Sequence, residues 1–486
     1  MSKFITSKDL TNKDRTNKEL ANKGLANKKL TKKPVISHVT NHQNALVTKP
    51  LKTSQSTGAA LATMGFAGSI PLIHGSQGCS AFSKVYLISH FREPFPIQNS
   101  AIDQVAAVMG SEENLIVALN NLCEKHQPQC IAVLTTGLTE MQGSDIWLTI
   151  KNFKRDFPQH AQIEVVPVST PDFKGSMESG FAAMVSAVVK QCADPMPTKI
   201  LKQQVNVLCS VTTTPADIEL ISRYLEAFGL EGLFLPDISQ SLDGHLQSDD
   251  LSQTSTGGTT IEQLATVSAS GLTLCLGESM LPLAKWLNQR FAIPMLSLSM
   301  GLESCDELIH HLTIYSKKPV PKWIERSRQR LLDAMLDSHF VLSDAHYGVA
   351  AESDQAAGFS RLLQEIGAGY VHMVTTKQGA WCADTPFQVV IGDMAELDQE
   401  YHHLDLVLGN SHLADFVPHD LAHMRIGFPC YDQFGNSDRL YLGYEGARAC
   451  LFEMANLCLR HHKEEVTPHV SRYAFSAQEV VWNGRA

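Results

Sequence analysis

Val205-NVLCSVTTTPADIELISRYLEAF-Gly229 reads as a strand, a turn and a helix in succession. Val205 to Val211 is a nearly unbroken apolar run, the pattern of a parallel strand covered on both faces. Thr214 before Pro215 predicts an N-cap and a first helical residue. Ile218, Ile221, Leu225 and Phe228 then share one helical face, and Gly229 predicts the stop.

The same grammar recurs along the chain. Short apolar runs that end in small or polar residues begin at Ile131, Ile163, Leu233, Leu272, Pro294, Phe340, Tyr370, Gln388 and Leu404. Phe359, Leu362, Leu363 and Ile366 repeat the helical face before Gly367. Repeated βα units predict the α/β class, with parallel sheets covered by helices. Polar, proline-containing breaks at 193–199 and 317–322 divide the body into α/β domains at 51–200, 201–317 and 318–440, each Rossmann-like. A C-terminal helical element at 441–486 is expected to pack back on the body. Ligands on such sheets bind at the carboxyl ends of strands, in crevices between units.

Residues 1–50 read as a basic, low-complexity tail, expected to be disordered, with the folded body beginning between Pro34 and Thr57. A five-residue repeat runs through it (Leu10-TNKD, Arg15-TNKE, Leu20-ANKG, Leu25-ANKK, Leu30-TKKP). A period of five spirals its leucines around a helix, so no apolar stripe forms.

The net charge of −10 over 486 residues hides an asymmetry: residues 1–33 carry +7 and the rest −17. An acidic body argues against nucleic acid as a partner. The composition, 44% hydrophobic and 19% charged, is that of a globular protein able to bury large cores. No stretch approaches the length of a membrane span and no apolar leader stands at the start, so no membrane is expected. Eleven cysteines without a CxxC pair point to reduced thiols and a cytoplasmic location.

The usual chemical signatures are missing. There is no GxGxxG after a strand, no GxxxxGK[ST], no GxSxG and no HExxH. A nucleotide-dependent step therefore needs a partner's phosphate loop. His419 and His423, four apart, could share a helix face and form a metal pair, but spacing fixes no third ligand.

The densest local signal is Pro71-LIHGSQGCSAF-Ser83, followed by His90-FREP-Phe95. Gly75 and Gly78 flank Cys79 on its N-terminal side, and glycines let backbone N–H groups crowd a thiolate, as around iron-sulfur clusters. The loop equally reads as a tight turn with an inert thiol. Since a four-iron cluster commonly needs four thiolates, Cys79 as a ligand requires other chains to complete the shell. His74, Ser76 and Gln77 are secondary candidates around it. Arg92 and Glu93 are placed to form a buried pair, and Asn410, Ser411 and His412 to cap or line a crevice after the run that ends at Leu408.

These motifs, with Thr135-TGLT-Glu140, Gly143, Asp145, Gly409-NS-His412 and Gly427-FPCYDQF-Gly435, resemble in order those of nitrogenase component 1-like proteins, from about residue 58 to 460. The resemblance implies that family's three-domain fold. Catalytic β subunits of the family carry three cysteines for their P-cluster; here the first is Cys79, but Ile97 and Gly137 stand at the other two positions. That departure is similar to the N-type subunits of the scaffold on which the iron-molybdenum cofactor of nitrogenase is assembled.

The resemblance then implies Cys79 as one ligand of a [4Fe-4S] cluster shared with an E-type subunit (NifE) in an α2β2 heterotetramer. It implies no catalytic residue of the chain's own. A cofactor precursor delivered by NifB would sit transiently, mainly in the partner. MgATP would enter only through the nitrogenase iron protein (NifH), and the catalytic nitrogenase would receive the product. The nearest alternative is a β-like subunit of a two-component reductase of the protochlorophyllide reductase type, or of an alternative nitrogenase system. The first of these families uses aspartate where this chain has Cys79. A nucleotide-binding α/β enzyme is a more remote alternative.

Overall fold

A computed structural model describes residues 38–41, 46–246 and 252–461. The repeat of residues 10–33 and the last 25 residues of the expected C-terminal element lie outside the described residues.

Three parallel sheets make the body. Strand β1 (Val39–Asn41) leaves at once to join the last of them, so the body begins at Val39, within the stretch expected as tail. Strands β2 (Ser69–His74), β3 (Gln98–Asn99), β4 (Cys130–Thr135) and β5 (Glu164–Val168) form the first sheet in the order β3-β2-β4-β5. The second comprises β6 (Leu201–Leu208), β7 (Glu231–Leu235), β8 (Ser270–Cys275) and β9 (Met295–Ser297), in the order β7-β6-β8-β9. In the third, β10 (His346–Ala351), β11 (Tyr370–Thr375), β12 (Gln388–Ile391), β13 (Leu406–Gly409) and β14 (Ala422–Arg425) stand in the order β1-β12-β11-β10-β13-β14. All strand pairs are parallel.

Alternation within the strands explains why helices cover both faces. Ile131 and Val133 of β4 pack with Leu115, Leu119 and Phe153 of helices Glu112–His126 and Ile146–Asp156. Cys130, Ala132 and Leu134, pointing the other way, join the main core with Val185 and Val188 of helix Met177–Cys192. Each of the Val, Leu, Ile and Phe side chains contributes about 1.5–3 kcal/mol on burial. Helix Gln55–Thr63 approaches helix Met177–Cys192 backbone to backbone. A Cβ at Gly58 would stand 1.9 Å from the Met177 carbonyl oxygen, and one at Gly180 1.9 Å from that of Gln55, so only glycine fits at either place.

The helix expected after β6 forms at Pro215–Ala227. Thr214 accepts the Asp217 N–H at 3.1 Å as N-cap, and Gly229 takes φ 71° just beyond the end. Two expectations need correction. Phe340 to Leu342 is no strand: it closes the helix Lys322–Leu342, because a short apolar run does not by itself distinguish a strand from a helical turn. The strand of that region is β10, four residues later. His419 and His423 share no helix face, since His423 lies in β14 and bonds the Gly409 carbonyl from Nε2 at 3.2 Å. Among the described residues no group of three or more His, Cys, Asp or Glu could hold a metal ion. Nor is any described helix long and apolar enough to cross a membrane.

Candidate functional site

Parallel strands deliver all their following loops to one edge, and Cys79 stands on the loop that leaves β2. The chain turns at Gly75, whose Cβ would come within 2.7 Å of the Thr136 methyl carbon. Glycine is therefore set by packing against the loop after β4. Ser76 is the N-cap of helix Gln77–Phe91 without a side-chain cap bond, and its Oγ lies 3.6 Å from Cys79 Sγ. Cys79 is half-buried in the first turn of that helix, while Gln77 and Gly78 are exposed. A Cβ at Gly78 would meet nothing nearer than Ser76 Oγ at 3.9 Å, so the space beside Cys79 is open on that side.

His74 holds this loop from below. It is fully buried, with Nδ1 2.8 Å from Ser100 Oγ and Nε2 3.2 Å from Ser111 Oγ, and its carbonyl accepts the hydroxyls of Thr136 and Thr139. Burial lowers its pKa to about 4, against the smaller opposing pull of Glu112, so the ring is neutral at pH 7. One residue thus ties the β2 loop to its neighbours, its ring to the segment after β3 and its carbonyl to that after β4.

A model of the nitrogenase component 1 type oxidoreductase family matches residues 54–459. The chain belongs to this family.

Among nitrogenase component 1 type relatives, the nitrogenase iron-molybdenum cofactor biosynthesis protein NifN of Klebsiella pneumoniae is 40% identical over 425 residues, covering 86% of this chain and 92% of that protein. Its namesake from Nostoc sp. is 40% identical over 423 residues, covering 86% and 95%. A solved structure described as "Nitrogenase Cp1 at pH 6.5" matches with a TM-score of 0.81 at 30% identity, covering 89% of this chain and 98% of that one. Another, "Nitrogenase Cp1 at pH 5", matches in fold alone, with a TM-score of 0.64 at 15% identity over 87% and 91%.

Of the three positions where the family's catalytic β subunits are expected to carry cysteine, only Cys79 offers sulfur. Ile97 is buried in the main core. Gly137 opens helix Gly137–Gln142, with Asp172 and Phe173 about 3.9 Å from where its Cβ would stand. The donor set fits a cluster to which this chain gives one ligand and does not fit one to which it gives three.

The edge around Cys79 is apolar and bare. Phe82 and Val85 after β2, Val108 after β3, Met141 and Trp147 after β4, and Phe173 after β5 are each 62–83% exposed. Large apolar side chains gathered on one edge mark an interaction surface. Sequence reading missed this. Its signal was a helix, Gln77–Phe91, with apolar residues on two faces: Phe82 and Val85 outward, Leu87 and Phe91 inward.

The remaining motifs meet at the far end of that helix. His90 Nδ1 accepts the Cys430 N–H at 2.9 Å, and Asn436 Nδ2 donates to the His90 carbonyl at 3.3 Å. Desolvation, reinforced by Arg92 and Arg439, lowers His90 to about 3. Arg92 and Glu93 form no ion pair among the described residues, because they diverge: Arg92 donates to the Tyr431 carbonyl at 2.7 Å and lies over the Phe434 ring, whereas Glu93 sits near Gly244 with its pKa raised by burial. Asn410 caps the short helix Ser411–Ala414, accepting the Leu413 N–H at 3.1 Å and donating to the Phe428 carbonyl at 2.7 Å. Ser411 donates to Asp432 and accepts the Tyr431 N–H at 2.9 Å, and His412 packs edge-on to Tyr86. These residues hold the third sheet's loops against the helix of Cys79. All eleven cysteines are free thiols.

Proposed function

We propose that this chain is the N-type subunit of the scaffold on which the iron-molybdenum cofactor of nitrogenase is assembled, with Cys79 giving one thiolate ligand to a [4Fe-4S] cluster shared with an E-type partner. The observation that carries the reading is a single half-exposed sulfur on an edge of exposed apolar side chains, with Ile97 and Gly137 where companion sulfurs would stand. The relatives named for cofactor biosynthesis support the scaffold role.

In this reading the chain's residues position the ligand. His74 and Gly75 fix the loop, Gly78 leaves room for a second chain to approach, and the apolar edge excludes water once that chain has docked. The cluster, when bound, supplies one-electron transfer. Two copies of each chain would form the α2β2 heterotetramer, the iron protein would dock on it carrying MgATP, and NifB and the catalytic nitrogenase would be donor and recipient. The precursor would lie mainly in the partner, and the complex in the cytoplasm. Domain limits at 51–200, 201–317 and 318–440 assign the first sheet, the second sheet and strands β10 to β14 to separate domains, with helix Gly443–His461, in the described part of 441–486, packing back on helix Lys322–Leu342.

The test is iron counting with electron paramagnetic resonance on the chain co-purified with its E-type partner, native against Cys79→Ala. Loss or alteration of the four-iron signal in an intact complex supports the ligand. An unchanged signal refutes it.

A further inference from the structure

All three sheets send loops to one buried point, and that point is crowded with acid. Glu178, in the first turn of helix Met177–Cys192, is fully buried. Its Oε2 accepts the Asp354 N–H at 2.7 Å, and its Oε1 lies 2.7 Å from Lys377 Nζ. Asp354, also buried, accepts the N–H and the hydroxyl of Ser279 at 3.0 and 2.5 Å. Glu352, partly buried, accepts the hydroxyls of Ser176 and Thr376 at 2.8 and 2.6 Å.

The donors and acceptors come from different places in the fold. Ser176 and Glu178 follow β5 of the first sheet, Ser279 follows β8 of the second, and the rest follow β10 and β11 of the third. Gly277, between β8 and Ser279, has no side chain where a Cβ would stand 2.3 Å from Asp354 Oδ2, so the second sheet's loop closes directly on that carboxyl. Asp354 also lines a crevice of about 220 Å³ beyond the ends of β6 and β8, with Thr212, Thr213 and Ser299 among its walls.

The charges do not balance. Three carboxyls face one ammonium, that of Lys377. Among the described residues, Tyr86 faces Glu352, and Cys275 and Glu278 face the Asp354 side; Arg361, a cation two turns beyond Asp354 on the same helix, lines the same crevice, and no ion pair joins it to the three carboxyls. Glu278 is itself engaged with the Ala380 N–H at 2.9 Å. Where water scarcely reaches, two uncompensated carboxylates are costly, and the neutral acid is favoured.

We propose that this junction is a proton-dependent clasp: a proton held by Glu352 or Asp354, beside the Glu178–Lys377 pair, keeps the loops of the three sheets closed on one another, and its loss loosens the crevice between the second and third sheets. Desolvation, with Glu178 beside them, raises Glu352 to about 7 and Asp354 to about 8. Both pKa values lie above those of the unfolded chain. The stabilisation is therefore complete below the unfolded carboxyl values near pH 4, falls as pH rises, and is fully lost once pH has passed about 7 to 8, where the folded carboxyls ionise.

The test uses the full chain at about pH 6 and about pH 9, on either side of these values. Difference infrared spectra are expected to show a protonated-carboxyl stretch that titrates out between them and is absent from Glu352→Gln/Asp354→Asn. Amide exchange of residues 277–281 and 352–358, corrected for its intrinsic pH dependence, is expected to rise about fivefold or more across that range in the native chain and to stay level in the double variant. A native spectrum without a titrating carboxyl overturns the proposal, and this holds even if the variant fails to fold. So does an exchange rise that persists in a folded double variant.

Discussion

The carboxyl edge of the first sheet and the junction where loops of all three sheets meet are built from the same kind of βα turn and end in opposite states. At the first sheet's edge the loops present Phe82, Val85, Trp147 and Phe173 to solvent around one half-buried sulfur. At the junction, Glu178, Asp354 and Ser279 satisfy one another across three sheets. Topology alone does not decide whether a strand end is a docking surface or a closed seam. The side chains on the following loop do, by whether they find partners within the same chain.

This contrast can be broken or sharpened by measurement. The largest expected effect asks whether the open edge stands on a closed base. His74 and His90 flank the helix of Cys79 and are held neutral by burial, with pKa values near 4 and 3. Their lowered values mean full stabilisation above about pH 6.5 and progressive loss below it. At pH 5 each should account for about 2 kcal/mol, read as a falling urea midpoint, and His90→Gln should remove about half of that slope.

Next comes the seam. Lys377→Ala leaves the buried Glu178 without its cation and should cost about 2–3 kcal/mol, with the larger loss at alkaline pH, where the remaining carboxyls ionise. An equal loss on both sides of neutrality would break the account of the seam.

The two glycines of the Cys79 loop separate inside from outside within a few residues. Gly75→Ala drives a methyl against Thr136 and should cost about 1–2 kcal/mol. Gly78→Ala enters open space and should raise the stability of the isolated chain by about 0.5 kcal/mol, while impairing recovery of iron with the partner. The smallest effect on the chain itself is expected for Phe82→Asp with Val85→Asp. Thermal stability should move by less than about 0.5 kcal/mol while co-purification of an E-type partner falls about tenfold or more.

The α/β repeat and much of the Cys79 loop were legible because their signals are local. Thr214-Pro215 fixes a helix start within two residues, and β4, β5 and β11 are apolar runs read directly. Phe340 was misread because three apolar residues in a row fit either a strand or the end of an amphipathic helix. The pairing of His419 with His423 failed because period four means something only on a helix, and His423 lies in a strand. The acidic junction left no local trace. Glu178 and Asp354 are 176 positions apart, and each alone reads as an ordinary acidic residue in a helix's first turn. The diverging Arg92 and Glu93 teach the same lesson at short range, since neighbours in sequence turned to different partners.

Strand β1 gives the chain a calendar. Val39–Asn41 is the first of the described strands to be made, yet its partner β12 at Gln388–Ile391 follows roughly 350 residues later, on the order of 20 to 70 seconds at usual synthesis rates. The whole first sheet, with the Cys79 loop, is made in that interval. The edge strand of the third sheet therefore waits for the rest of its sheet, and the helix of Cys79 waits with it for the loops of His412 and Cys430 that pack on its far end.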